Sequence, residues 1–162
     1  MTEFEALYRR YARDVYRFAL YLSGDRALAE DIASETFVRV WTSSSGLRSS
    51  TVKAYLFTIA RRLFLDGRRR QARWAPLEDS HRDTAPGPHD RAASRDELEM
   101  VLSALQVLPE TDRAALLMRA QDGLPYEDIA AGLGVSVAAA KVKVHRARVK
   151  LAQAGLGPGR EP

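Results

Sequence analysis

The chain of 162 residues contains no cysteine, which excludes disulfides, thiolate zinc sites and cysteine nucleophiles. It also lacks any run of about eighteen consecutive apolar residues, so no membrane-spanning helix is predicted. The amino terminus has no basic start followed by an apolar stretch, which argues against a secretory signal. Together these absences favour a cytoplasmic protein.

Residues that carry catalysis are equally scarce. The three histidines are scattered, with His81 and His89 in a segment without apolar periodicity and His145 in a basic one, so we expect no metal site. No glycine-rich phosphate loop occurs, which argues against nucleotide hydrolysis. We therefore expect no catalytic residue, no metal and no cofactor, and a protein that acts by binding rather than as an enzyme.

Apolar residues recur at helical spacing through the first part of the chain and predict three helices. The first ends at Gly24, the second runs from Arg26 to Trp41 behind a capping residue, Asp25, and the third starts near Val52. The positions predicted to face the core are Phe4, Leu7, Tyr8, Tyr11, Val15, Phe18 and Leu22 in the first helix, Leu28, Ile32, Phe37, Val40 and Trp41 in the second, and Tyr55, Leu56, Ile59, Leu63 and Phe64 in the third.

The apolar pattern then disappears and resumes, which divides the chain. Proline and glycine interrupt the segment 71–95, predicted to be a flexible linker. Helical order resumes with a capping box at Ser94-Arg-Asp-Glu97, and Pro109 and Gly123 bound a further helix. We predict an all-α protein of two small helical domains, with three helices in 1–70, four in 96–154, and a disordered tail at 155–162.

The stretch from Tyr126 to Leu151 reads as a helix-turn-helix. Ala130 is small where two helices approach, Gly134 permits a left-handed turn, and Ser136 is placed to cap the second helix. That helix has an apolar stripe, and it carries five cations with no acidic residue, so phosphates are its natural counter-ions. An ordinary amphipathic hairpin with a solvated basic face is the alternative. The apolar stripe consists of Val137, Ala140, Val144, Ala147 and Leu151.

Charge is unevenly distributed along the chain, although the net charge is only +4. Residues 61–70 hold five arginines and one aspartate, and residues 136–150 hold five cations. Two separate basic patches suggest two contacts with DNA. The second helix, in contrast, is predicted to expose Glu30, Asp31 and Glu35 on neighbouring turns, which gives it an acidic face.

This succession of motifs resembles the extracytoplasmic-function (ECF) sigma factors, the small bacterial sigma factors that guide RNA polymerase to promoters. The likeness covers nearly the whole chain except the linker and the tail, in family order. In the first domain it lies in Leu7-Tyr8-Arg-Arg-Tyr11, Gly24-Asp25, Ala29-Glu-Asp-Ile-Ala-Ser-Glu-Thr-Phe37 with Trp41, and Tyr55-Leu-Phe-Thr-Ile-Ala-Arg-Arg62 with Asp66 and Arg69. In the second it lies in Leu108-Pro109, Arg113, Gly123-Leu-Pro-Tyr-Glu-Asp-Ile-Ala130, Leu133-Gly-Val-Ser136 and His145-Arg-Ala-Arg148.

The resemblance implies a sigma region 2 followed by a sigma region 4, and a set of binding partners. The expected partners are bacterial core RNA polymerase, through its β′ clamp and β flap, promoter DNA with a minus-ten and a minus-thirty-five element, and an anti-sigma factor. Promoter melting would be assisted by capture of unpaired bases. No insertion into a membrane is expected.

The resemblance also assigns roles to residues of this sequence. Core polymerase binding falls on Glu30, Asp31, Ser34, Glu35 and Val38, for which a solvated helix face is the alternative. Minus-ten binding falls on Arg48, Ser49, Ser50, Lys53, Arg61, Arg62, Arg68 and Arg69. For Arg68 and Arg69, a charged helix end favoured by the helix dipole is the alternative. Minus-thirty-five binding falls on Ser136, Ala138, Ala139, Lys141, Val142, Lys143 and Arg146.

Two positions depart from the family pattern, and two other classes of protein remain open. Ser34 stands where the family often has glutamine, and Ala140 where it usually has valine. A homodimeric repressor or activator would use the helix-turn-helix but leave the acidic helix without a role. An adaptor that uses both domains for protein contacts should tolerate charge reversal in the basic helix.

Overall fold

The computed structural model describes residues 2–43, 51–74 and 92–156. Within these ranges every regular element is helical, which confirms the predicted all-α class. The helices form two compact units, one containing α1–α3 and the other α4–α7. Their bounds are α1 (Glu3–Ser23), α2 (Arg26–Thr42), α3 (Val52–Trp74), α4 (Ala92–Val107), α5 (Glu110–Leu116), α6 (Tyr126–Leu133) and α7 (Val137–Gln153).

Short-range hydrogen bonds fix the ends of the first helices. Thr2 and Glu5 form a reciprocal capping box at the start of α1, with each backbone N–H donating to the other side chain at 3.0 Å. Gly24 ends α1 in the left-handed conformation, at φ 73°. Asp25 then caps α2 as predicted, because its carboxylate accepts from the Leu28 N–H at 3.0 Å.

The core of the first unit is aromatic. Phe18 and Phe57 are fully buried, and their rings stack with centroids 4.5 Å apart and an interplanar angle of 4°. The predicted core missed Phe57 and wrongly included Tyr8 and Trp41, which are 48% and 63% exposed. The rings of Tyr8 and Trp41 each contact one aromatic ring on the other helix of the α1–α2 pair. Helical periodicity does not distinguish such a partial contact from full burial.

In the second unit a buried arginine connects α5 to the end of α4. Arg113 of α5 is 4% exposed, and it donates from Nε to the Leu105 carbonyl at 3.0 Å and from Nη2 to the Leu108 carbonyl at 3.3 Å. It thereby gives a donor to the Leu108 carbonyl just beyond α4 and a second donor to the Leu105 carbonyl, which also accepts from the Leu108 N–H at 3.1 Å. Beyond α5 the chain continues as a π-helical turn, and Gly123 ends it at φ 65°, as predicted.

Several helix ends lie elsewhere than the sequence pattern indicated. α3 continues to Trp74, and α4 begins at Ala92, two residues before Ser94, where the sequence pattern predicted its start. Consecutive alanines before Ser94 favour helix and extend it backwards. The first two residues of the predicted disordered tail are ordered, since the Leu156 N–H donates to the Leu151 carbonyl at 2.9 Å. The rest of that tail and the middle of the predicted linker lie outside the described residues.

No helix in the described part of the chain is both long enough and apolar enough to cross a membrane.

Candidate functional surfaces

One face of α2 carries the residues assigned to polymerase binding. Their spacing of three and four residues places them on one side of the helix, and all five are exposed. Val38 is 51% exposed, which is unusual for a large apolar side chain. Glu35 accepts a hydrogen bond from Arg39 Nε at 3.3 Å, an ion pair within the helix. We call this set the acidic face: Glu30, Asp31, Ser34, Glu35 and Val38.

An apolar groove adjoins the acidic face. Its volume is about 380 Å³, and Ser34 and Val38 belong to both surfaces. Ring centroids lie 4.7 Å apart for Phe4 and Trp41 and 5.0 Å apart for Tyr8 and Phe37, both in edge-to-face geometry. The residues lining the groove are Phe4, Tyr8, Ser34, Phe37, Val38 and Trp41. Exposed aromatic surface rimmed by charge is typical of a protein-binding site.

A second cavity of about 470 Å³ lies between α1 and α2, with Tyr16 and Glu30 among its lining residues. Burial raises the pKa of the Tyr16 phenol, and the negative charge of Glu30 raises it further. Tyr16 therefore stays neutral at physiological pH and keeps a donor hydrogen beside the acidic face.

The described minus-ten candidates all lie on α3. Arg61 and Arg68 are seven residues apart and so share one face of the helix, and Arg62 and Arg69 share the neighbouring face. The predicted loop residues Arg48, Ser49 and Ser50 lie outside the described residues.

Two of these α3 cations have acidic partners within the same unit. Lys53 Nζ lies 3.5 Å from Asp14 Oδ2 on α1, and Arg69 Nη2 lies 2.7 Å from Asp66 Oδ1. The contact of Lys53 with α1 was not predicted, because helical spacing shows only that Lys53 faces away from the apolar stripe of α3. The structure thus gives Lys53 a role in joining α3 to α1.

The predicted helix-turn-helix is formed by α6 and α7. Gly134 adopts φ 73° and its N–H donates to the Ala130 carbonyl at 2.9 Å, while Ser136 caps α7 by accepting from the Ala139 N–H at 3.0 Å. The predictions for Gly134 and Ser136 are therefore confirmed, and Ala130 is buried, at 5% exposed. At the start of α7, Lys141 and Val142 are exposed, as are Ala138 and the Ser136 cap itself.

An aromatic ring on α6 contacts the first cation of α7. Lys141 Nζ lies over the Tyr126 ring, 5.6 Å from its centroid, and the Arg119 guanidinium lies over the same ring at 4.3 Å. Arg119 is itself held by a hydrogen bond from Nη1 to the Leu124 carbonyl at 3.0 Å. This role of Tyr126 was not predicted, since nothing in the spacing of α6 shows which residue of α7 its ring contacts.

A carboxylate from α5 meets the middle of α7. Arg146 donates from Nε and Nη2 to the two oxygens of Asp112, at 3.2 and 3.1 Å, and Lys143 Nζ lies 3.9 Å from Asp112 Oδ1. These hydrogen bonds, together with the charge of Asp112, raise the pKa of the Arg146 guanidinium. The segment 136–150 itself holds no acidic residue, but in the folded unit Asp112 of α5 supplies a negative charge to two of its cations.

The sequence did contain a signal for Asp112. It precedes Ala115 and Leu116 by three and four residues, which places it on the buried face of α5. A carboxylate on an apolar face requires a partner, because buried charges are seldom left unpaired. Which cation supplies that partner is not readable from local spacing, since Arg146 lies 34 residues further along the chain.

The two units match the two conserved regions of sigma-70 type proteins. The family model described as Sigma-70 region 2 matches residues 7–74, which covers α1–α3. The model described as Sigma-70, region 4 matches residues 98–151, which covers most of the second unit. The chain is therefore a sigma factor in which region 2 precedes region 4.

Individual relatives narrow the class. The chain is 37% identical over 160 residues to the ECF RNA polymerase sigma factor SigE of Mycolicibacterium smegmatis, covering 93% of this chain and 61% of that protein. It is 36% identical over 136 residues to the ECF RNA polymerase sigma factor EcfG of Rhodopseudomonas palustris, covering 83% of this chain and 75% of the relative. The chain belongs to the ECF family of RNA polymerase sigma factors.

A solved structure agrees in fold. The sigma factor RpoE, in complex with the anti-sigma factor NepR from Bartonella quintana, superposes with a TM-score of 0.76 at 27% sequence identity. The match covers 94% of this chain and 96% of that one.

Proposed function

We propose that this chain binds core RNA polymerase, directs it to promoters with two recognition elements, and assists strand opening. The observation that carries the proposal is the pairing, in one ECF sigma chain, of an acidic and apolar surface on the first unit with a basic helix-turn-helix on the second. A protein surface suits the first and a phosphate backbone suits the second. The chemistry of transcription belongs to the polymerase, and the chain works where the polymerase does, in the cytoplasm.

Core polymerase docks on the acidic face of α2. Glu30, Asp31 and Glu35 supply negative charge for a basic helix of the β′ clamp, and exposed Val38 supplies apolar area next to the groove. Charge complementarity speeds encounter and sets orientation, while buried apolar area contributes most of the free energy of binding. Ser34, where the family often has glutamine, is a shorter polar contact on the same face. The β flap is the proposed contact of the second unit.

The minus-ten element is bound by α3 and the loop before it. Arg62 and Arg68 are exposed along α3 and supply positive charge for the backbone of the melted strand, beside Arg61 and Arg69. Lys53 takes part in spite of its ion pair with Asp14, which holds it at the start of α3. The loop residues Arg48, Ser49 and Ser50 are proposed to contact an unpaired base.

The minus-thirty-five element is read by α7 in the major groove. The first turns of a recognition helix lie closest to the base edges, and here they present Ala138, Ala139 and Val142 for thymine methyl groups and Lys141 for guanine acceptors. Ser136 lies at the helix N-terminus, where a backbone phosphate is favoured. Lys143 lies further along the helix, nearer the DNA backbone, and Arg146 lies one turn beyond Val142 on the same exposed face.

An anti-sigma factor is the proposed regulator. The superposable RpoE was solved bound to one, NepR. A protein that covered either the acidic face or α7 would block polymerase or promoter binding.

Co-elution with core RNA polymerase on a sizing column tests the proposal. We expect the chain to elute with polymerase at a one-to-one ratio, and the double variant Asp31→Arg, Glu35→Arg to elute alone. The matched control is Asp96→Arg, Glu97→Arg, which reverses two exposed carboxylates on α4 and should still bind. Circular dichroism of all three proteins checks that the helices are intact.

Two results would contradict the proposal. If the acidic-face variant elutes with polymerase like the control, the docking surface is misassigned. If the unaltered chain never elutes with polymerase but binds duplex DNA tightly as a dimer, it is a conventional regulator. Run-off transcription then tests α7 separately, since Lys141→Glu should abolish promoter-specific transcripts while co-elution persists.

A further inference from the structure

Asp112 is a carboxylate in an unusual place. Its side chain is 4% exposed, on α5, between two cations of α7. Taking a carboxylate out of water is costly unless it is paired and hydrogen bonded. Both conditions are met, because two hydrogen bonds come from Arg146 and a further charge from Lys143. The arrangement therefore depends on Arg146 remaining where it is.

The two partners of this ion pair differ sharply in exposure. Arg146 is 57% exposed at its side chain, whereas Asp112 is nearly buried. An ion pair that served only to join α5 to α7 would have no need to keep its guanidinium at the surface. The exposed end of Arg146 is thus available to a ligand while its inner edge is fixed.

The geometry leaves a defined set of donors free. A guanidinium has five N–H donors, and the bonds to Asp112 use the one on Nε and one on Nη2. Both hydrogens on Nη1 and one on Nη2 remain. Those three point away from the carboxylate, because the guanidinium is planar and its forked edge faces Asp112.

The neighbours of Arg146 on α7 belong to the proposed DNA-reading face. Val142 lies four residues before it and Val149 three residues after it, at 52% and 41% exposed. Exposed valines in the middle of a helix are unfavourable in water but suit contact with base methyl groups and sugars. Arg146 therefore stands in the middle of an exposed stripe.

We propose that Asp112 is a positioning residue for promoter recognition, which holds the Arg146 guanidinium in a single orientation so that its free edge reads the DNA. The proposal rests on the DNA-reading role of α7 proposed above. Asp112 touches no DNA itself and acts through Arg146. Lys143 lies close to the same carboxylate, three residues before Arg146 on α7.

Fixing a long side chain before binding reduces the entropy lost on binding. Ordering one flexible side chain weakens binding by about two- to tenfold. Removing Asp112 should therefore lower the preference for the recognised sequence by about that factor. Affinity for unrelated duplexes should stay the same or increase, because a negative charge near the phosphates is lost. A loss of affinity for recognised DNA without a loss for unrelated DNA is the signature of a positioning role.

The experiment measures sequence preference directly. Holoenzyme reconstituted from bacterial core polymerase and the full chain is incubated with duplexes that carry a randomised window upstream of a pre-melted bubble, and bound DNA is sequenced. The variants are Asp112→Asn, Arg146→Gln and the two combined. We expect Asp112→Asn to weaken the preference at the same base positions as Arg146→Gln, and the double variant to add little, because the two residues act as one unit.

Arg146→Lys is a second test of the same geometry, in a variant that keeps Asp112 unaltered. It keeps the positive charge beside Asp112 but loses the planar fork, so it should lose the same base preferences. Hydrogen exchange of α5 and α7 peptides reports whether each variant is folded. If Asp112→Asn unfolds the second unit, Asp112 is a structural residue and the positioning role is wrong.

The outcomes separate this inference from the function it rests on. If the unaltered holoenzyme enriches no sequence in the window, α7 does not read DNA and the proposed function fails. If it enriches a sequence and Asp112→Asn enriches the same sequence as strongly, only the positioning role is wrong. A uniform loss of binding on all duplexes, with faster hydrogen exchange, would make Asp112 a structural residue and would also overturn the inference.

Discussion

The acidic face of α2 and the basic helix α7 hold their functional charges in different ways. On α2 the candidate carboxylates stand on a single helix, and the ion pair described for Glu35 comes from Arg39 one turn away. On α7 the candidate cations are held from outside the helix, Arg146 by Asp112 of α5 and Lys141 by the ring of Tyr126 of α6. The first surface is arranged locally, and the second is arranged by tertiary structure.

This difference has consequences for stability and for function. A surface built on one helix changes its charge without changing the fold, because exposed substitutions usually alter stability by at most about 0.5 kcal/mol. A surface held by buried partners couples the binding geometry to the packing of the unit. The second unit should therefore be the more sensitive of the two to single polar substitutions.

The largest expected effect is at Arg113. Arg113→Met fills similar space but removes the side-chain donor of the Leu108 carbonyl and one of the two donors of the Leu105 carbonyl. We expect a cost of about 3 kcal/mol in the free energy of unfolding of the second unit. Hydrogen exchange of α4 and α5 peptides measures this. The matched control is Arg62→Met on α3, an exposed arginine that should change exchange in the first unit very little. Equal effects of the two substitutions would contradict the contrast between the units.

The features that the sequence predicted correctly are those set by local contacts, and the features that it missed are those set by tertiary contacts. The acidic face of α2 was predicted correctly as exposed, and so were the caps at Asp25 and Ser136, because each depends on contacts within about one turn. Asp112 was missed as a partner of α7, since helical spacing assigns a residue to a face but does not name the helix packed against it. Tyr8 and Trp41 were placed in the core for the same reason.

Two glycines give a smaller effect of opposite sign in the two units. Gly134→Ala forces a side chain into the left-handed turn of the helix-turn-helix, at φ 73°, and should destabilise the second unit by about 1–2 kcal/mol. Gly67→Ala lies within α3 in open space and should stabilise the first unit by about 0.5–1 kcal/mol. Chemical denaturation followed by exchange of α7 and α3 peptides measures both. A stabilising Gly134→Ala would show that the turn relaxes without cost.

The salt dependence of DNA binding probes the paired cation on α7. If all five cations neutralised phosphates, the logarithmic slope would be about −4.5, but with Arg146 retained by Asp112 we expect about −3.6. Removing Arg148 with Arg148→Gln should reduce the magnitude by about 0.9. The charge-neutral exchange Asp112→Asn with Arg146→Gln should leave the slope unchanged while sequence preference falls. A slope that shifts equally in both variants would mean that Arg146 neutralises a phosphate like any other cation.

The smallest expected effect is at Arg39, and it tests the contrast most directly. Arg39→Gln removes the partner of Glu35 while sparing the carboxylate, just as Asp112→Asn removes the partner of Arg146. Both side chains of the Glu35 pair are about half exposed, so the pair contributes only about 0.3–0.5 kcal/mol to stability. Competition for core polymerase against labelled unaltered chain should find affinity within about twofold, since the carboxylate remains on the same face of α2. A loss of polymerase binding comparable to that of Asp31→Arg, Glu35→Arg would mean that Arg39 orients Glu35. The functional charges on α2 and on α7 would then both depend on a paired side chain.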